Sequence, residues 1–196
     1  MDASRAQHDA DDEAGCGAGD GMFSESEVPT GPGVIHLHDA TGRFSADGLA
    51  WLRDQAAKVG AHMALRGEVR VRIVNDDEMA AAHLEYCEIE GTTDVLTFDL
   101  IDGMAAEGEP LDTDILVCLD ESARQAMPRG HRPEHEMLLY VLHGVLHCLG
   151  YDDHEDADFE RMHAREDEVL RAIGVGAIFA TTAKLDHGGA ARGGGV

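Results

Sequence analysis

The stretch PEHEMLLYVLHGVLHCLG, residues 133–150, constrains this chain more than any other. Its apolar residues fall on every side of a 3.6-residue period, and a helix that is apolar all round has to be enclosed by other elements. Pro133 suits a first helical turn, where its missing N–H leaves no bond unmade. Gly150 is the residue expected just past the last turn, in the left-handed region. The fold must therefore be built around a central helix. With 196 residues, the chain can enclose one such helix in one domain but not comfortably in two.

The segments around it supply the enclosing elements. GVIHLHDA alternates as an opening strand, and Ser45 caps a helix through Leu49, Leu52, Ala56 and Val59. EVRVRIVND puts Val69, Val71 and Ile73 on one face and Arg70 and Arg72 on the other; Asp76 or Asp77 then caps a helix through Met79, His83 and Tyr86. TDVLTFDLI and TDILVCLD read as two further strands separated by a loop over 102–112. A short helix from Glu121 breaks near Met127–Pro128, and a last helix spans 155–173 with Phe159, Met162, Val169, Leu170 and Ile173 on one face. The expected class is α+β (mixed α/β), a four-stranded sheet packed with about five helices.

Residues 1–31 carry eight acids and one base and show almost no apolar periodicity, so an acidic disordered extension is expected there. The Gly-rich end, 174–196, is expected to be a flexible tail. That leaves 32–173 as the folded domain. The net charge of −24 opposes a polyanionic partner unless basic side chains cluster locally. No apolar run is long enough to span a bilayer, and the first residues lack a basic and an apolar region of a secretory signal, so a cytoplasmic protein is expected. Cys16, Cys87, Cys118 and Cys148 are widely spaced, which fits reduced thiols rather than a disulfide framework.

His143 and His147, four apart on the central helix, project from one face with Cβ atoms about 5–6 Å apart. Two buried imidazoles without a partner are costly, and a pair at this spacing can share an ion in a zincin-like manner. A catalytic Zn²⁺ takes three protein ligands at about 2.0–2.2 Å and leaves a position open. The chain turns back after Gly150, so His154 is the expected third ligand. Asp152 and Asp153 are the candidates for a proton acceptor or for orienting a histidine. Gly144 occupies the place of the general-base glutamate in H-E-x-x-H proteases, which argues against protease chemistry.

HGVLHCLGYDDH is similar to the H-G-x-L-H-x-x-G-[aromatic]-D-H signature of the YbeY family of metal-dependent endoribonucleases. VNDDEMAAAHLEY, TTDVLTFDL, DTDILVCLDESARQA and ERMHAREDEVL resemble further segments of that family, in order, from Val34 to Ile173. The family's third histidine stands ten residues after the first; here Asp153 holds that offset and His154 follows, so the resemblance makes Asp153 the alternative third ligand. Cys87 stands where family members usually carry an arginine, and Thr92 where they carry a proline.

The resemblance implies one Zn²⁺ per chain and cleavage of single-stranded RNA in maturation of the small-subunit ribosomal RNA 3′ end and in ribosome quality control. The ion would activate water or polarise a phosphoryl oxygen. Candidate phosphate contacts are Arg70, Arg72, Arg129 and Arg132, with Arg66, Arg124 and His131 nearby. Two other functions fit the same residues: a ribosome-assembly factor whose zinc is structural, and a metal-dependent hydrolase of another substrate.

Overall fold

The computed structural model describes residues 31–101 and 105–178. The extension expected over 1–31, apart from Gly31, and the tail expected over 174–196, apart from 174–178, lie outside the described residues, as does Cys16. The elements run β1 (Val34–Asp39), α1 (Ala46–His62), β2 (Arg66–Val74), α2 (Asp76–Cys87), β3 (Val95–Asp99), β4 (Pro110–Cys118), α3 (Leu119–Arg129), α4 (Pro133–Cys148) and α5 (Asp156–Ala172). The strands form one sheet in the order β1-β2-β4-β3, with β1, β2 and β4 parallel and the edge strand β3 antiparallel to β4. This is the four-stranded, five-helix α+β arrangement read from the sequence.

Period-two alternation decides which face of the sheet receives the central helix. Val69, Val71 and Ile73 of β2 and Ile115 and Val117 of β4 join Met137, Leu138, Val141, Leu142 and Val145 of α4 in the main core. Each of these is 2% exposed or less. Helices α1 and α5 close over the other sides of α4 with Leu52, Val59, Met162 and Leu170, so the helix is enclosed all round as its composition demands. The opposite face of the sheet carries Arg70 and Arg72 and a small second cluster of Val74, Met79 and Cys118 under α2. No helix among the described residues is long and apolar enough to cross a membrane.

Two glycines record close approaches. At Gly67, in β2, φ is +84°, and a Cβ there would lie 2.0 Å from the Leu111 carbonyl oxygen of β4. At Gly144 a Cβ would lie 3.1 Å from Cδ1 and Cγ2 of Ile115 and 3.2 Å from Cγ2 of Thr97, so α4 rests directly on β3 and β4 at this turn.

One local reading holds and several are revised. Ser45 caps α1, its Oγ accepting from the Gly48 N–H at 3.0 Å. The cap of α2 is Asn75 rather than Asp76 or Asp77, its Oδ1 accepting from the Glu78 N–H; the two aspartates sit in the first turn, where the helix dipole favours them. Helix α3 passes through Pro128 and stops at Gly130, φ +72°, because a proline in the final turn removes only one hydrogen bond. Strand β4 begins at Pro110, inside the segment expected to be loop. Packing continues past Ile173, with Ile178 4% exposed in the core.

Candidate metal centre

The end of α4 builds the site through its own backbone. Gly150, at φ +82°, lets its N–H reach the His147 carbonyl while the Tyr151 N–H reaches that of Leu146, both at 3.0 Å. This is the Schellman arrangement, which satisfies two carbonyls that a helix end leaves without partners. It also turns the Tyr151 carbonyl back to accept from His147 Nδ1 at 3.1 Å. A carbonyl can only accept, so Nδ1 carries the proton and the Nε2 lone pair of the neutral ring faces outward.

His143 is fixed from another element. Helix α5 buries Met162, Val169 and Leu170 against the core, and the same face carries Glu166 inward, its side chain 1% exposed. Glu166 Oε1 accepts from His143 Nδ1 at 2.7 Å and Oε2 from His163 Nδ1 at 2.5 Å. Burial pushes the Glu166 carboxyl up, but the two imidazoles outweigh it and hold it below its ordinary range. For His143, burial is outweighed by the hydrogen bond to Glu166 and the charges of Glu166, Asp94 and Asp153, so its pKa is raised. Burial and the charge of His143 lower that of His147.

Two Nε2 atoms thus face each other at 3.0 Å, each belonging to a ring whose other nitrogen already donates. Something positive has to lie between them: a shared proton, or an ion. Tetrahedral ligands at about 2.0–2.1 Å from Zn²⁺ stand about 3.3 Å apart, close to the spacing found. The Asp153 carboxylate completes the set, at 3.6 Å from His143 Nε2 and 4.0 Å from His147 Nε2. The donor set therefore fits a divalent metal, and His143, His147 and Asp153 form a group with metal-ligating spacing.

The structure places the two candidates for third ligand differently. Asp152 accepts from the N–H groups of Asp153 and His154 at 2.7 and 3.2 Å, a tight turn that carries Asp153 back over α4. The next side chain then points outward: His154 is 83% exposed, its ring hydrogen-bonded to Asp152, which raises the His154 pKa and lowers that of Asp152. His154 and Asp152 do not share the group of His143 and His147.

Four participants were not singled out by sequence reasoning. Glu166 and His163 lay in the quoted segment ERMHAREDEVL, and their i, i+3 spacing was the available signal. Asp94 and Glu136 join His143, Asp153 and His163 in a cleft of about 500 Å³ that runs along α4. Of the four expected phosphate contacts only Arg129 lines this cleft. Arg70 is held by Glu68, Asp112 and Asp114, and Arg72 by Glu78, both on the far face of the sheet; Arg132 pairs with Glu134. Cys87 is exposed at the end of α2, and the following segment reaches the cleft only at Thr92–Asp94.

Because Glu166 fixes the His143 tautomer, Glu166→Gln is expected to weaken Zn²⁺ binding about 10- to 100-fold. Competition against a fluorescent chelator measures it. An unchanged affinity would show that Glu166 serves packing alone.

A family model described as endoribonuclease YbeY matches residues 42–174. Among proteins named endoribonuclease YbeY, that of Halorhodospira halophila is 41% identical over 112 residues, 56% of this chain and 72% of its own length. That of Macrococcus caseolyticus is 38% identical over 113 residues, 55% of this chain and 73% of its own. That of Bacillus licheniformis is 30% identical over 151 residues, 72% of this chain and 96% of its own.

Proposed function

Since the chain belongs to the endoribonuclease YbeY family, we propose that the cleft along α4 is the active site of a metal-dependent endoribonuclease. Its substrate is ribosomal RNA, single-stranded near the small-subunit 3′ end, its ion is Zn²⁺, one per chain, and its setting is ribosome maturation and quality control in the cytoplasm. Two imidazole lone pairs and a carboxylate converging on one point carry this reading.

His143, His147 and Asp153 hold the ion, which when bound lowers the pKa of water or polarises a phosphoryl oxygen. The Glu166 carboxylate and the Tyr151 carbonyl keep both Nε2 atoms aimed inward. Asp152 shapes the turn that delivers Asp153. Asp94 Oδ1 accepts from the Val95 N–H at 2.9 Å and from the Thr93 hydroxyl at 3.1 Å, which holds the carboxylate in the cleft wall, and there it serves as the proton acceptor. Arg129 is the cation available to RNA phosphates.

Purified protein loaded with Zn²⁺ is expected to cut a single-stranded oligoribonucleotide, to stop on chelation and to resume on adding Zn²⁺. Protons compete for the same nitrogens, so metal is expected to be lost as pH falls, and the raised pKa of His143 favours the proton there more than in an ordinary imidazole. Zinc-loaded protein that leaves RNA intact, or cleavage indifferent to chelation, would overturn the reading.

A further inference from the structure

We propose that Arg129 binds a phosphate of the RNA strand flanking the scissile one, and that Glu136 and His131 position it for that contact; the proposal rests on the endoribonuclease reading. Glu136 and His143 are seven residues apart on α4, so this second point lies about 10 Å along the helix from the metal ligands, in the same cleft. The cleft wall is acidic, with Asp94, Glu121, Glu136, Asp153 and Glu166. Among the described residues lining it, Arg129 is the sole arginine or lysine.

Arg129 differs from its neighbours in how its donors are used. Arg70 spends Nε and both terminal nitrogens on three carboxylates, and Arg124 spends all three on Asp76 and Glu121. Arg129 makes one hydrogen bond, Nη1 to Glu136 Oε1 at 3.0 Å, and is 24% exposed. A guanidinium offers five N–H donors in a fixed fork. Held by one nitrogen, it keeps Nε and Nη2 for an oxyanion, which a phosphate can accept as a pair.

Glu136 shows that neutralisation alone does not explain the contact. It is 0% exposed, and its Oε1 takes both Arg129 and His131 Nε2, the latter at 2.6 Å, while the buried Oε2 has no partner. A guanidinium serving only this carboxylate would span both oxygens in a bidentate pair. Here one oxygen is left bare, a costly arrangement in a buried site, and the guanidinium is turned to the cleft instead.

The test uses an oligoribonucleotide with one neutral methylphosphonate stepped through the positions flanking the cleavage site. On the unmodified strand, Arg129→Ala is expected to raise KM on the order of 10- to 100-fold with kcat nearly unchanged, the loss of one charge-assisted contact. The salt dependence of binding should fall by about 0.7 in slope. At one methylphosphonate position wild type should lose the same factor and Arg129→Ala nothing further. Arg129→Lys should recover only part, since it lacks the fork, and Glu136→Gln should shift KM in the same direction with metal content unchanged. An Arg129→Ala protein, or Arg129→Gln should alanine not fold, with wild-type KM and salt slope would overturn the proposal. So would a deficit that persists at every methylphosphonate position. Wild type that cuts no RNA would sink the endoribonuclease reading itself.

Discussion

His147→Ala is expected to lose its zinc and to cut RNA about a thousandfold more slowly than wild type, or slower still. The mutation takes one of three converging donors and leaves His143 Nε2 facing Asp153 alone. The comparison that decides the third ligand sets Asp153→Ala beside His154→Ala, with metal content by elemental analysis and cleavage rate as readouts. Asp153→Ala should resemble His147→Ala, because the Asp153 carboxylate faces both Nε2 atoms. His154→Ala should keep stoichiometric zinc, because its ring is turned to solvent and Asp152. The reverse pattern would require the loop after Gly150 to rearrange on binding metal and would assign the ligand to His154.

Gly67→Ala is expected to be the most damaging single methyl group in the sheet, costing on the order of 4 kcal/mol of folding stability. Two causes add: an L side chain at φ +84° is strained, and the new Cβ would sit 2.0 Å from the backbone oxygen of Leu111. That oxygen belongs to the neighbouring parallel strand and cannot rotate away as a side chain would. The register Gly67↔Leu111 would have to open at the start of the β2–β4 ladder. Thermal unfolding measures the loss, expected as a fall in Tm of about 10 °C for a chain of this size. A change of a degree or two would mean that the strands separate there at little cost.

Most of the architecture was legible because alternation and helical period are local properties. EVRVRIVND announces a strand with one buried face, and residues 133–150 announce an enclosed helix; both form where expected. Capping was less legible, since Asn75, Asp76 and Asp77 are all competent caps and only the geometry of the turn chooses between them. The histidine pair was readable from spacing alone. Glu166 was not, because it is adjacent to His143 only after α5 has packed against α4, 23 residues later in the chain. The contrast between Asp153 and His154 turns on which of two consecutive side chains a tight turn folds inward. Arg70 looked as available as Arg129 in the sequence; its three acidic partners come from its own strand and from β4, which is 44 residues away at Asp114.

Gly144 was first notable as the place where a protease would carry its glutamate. In the folded chain the Cα of that residue points at Ile115 and Thr97, and even a methyl group there would press on both. A glutamate at 144 would drive its side chain into the apolar seam between helix and sheet and would pry α4 from the strands it rests on. The nearest evolutionary route from this site to peptide hydrolysis, a single substitution on paper, is therefore closed by packing. To take up that chemistry, a protein of this fold would first have to lift the helix off the sheet.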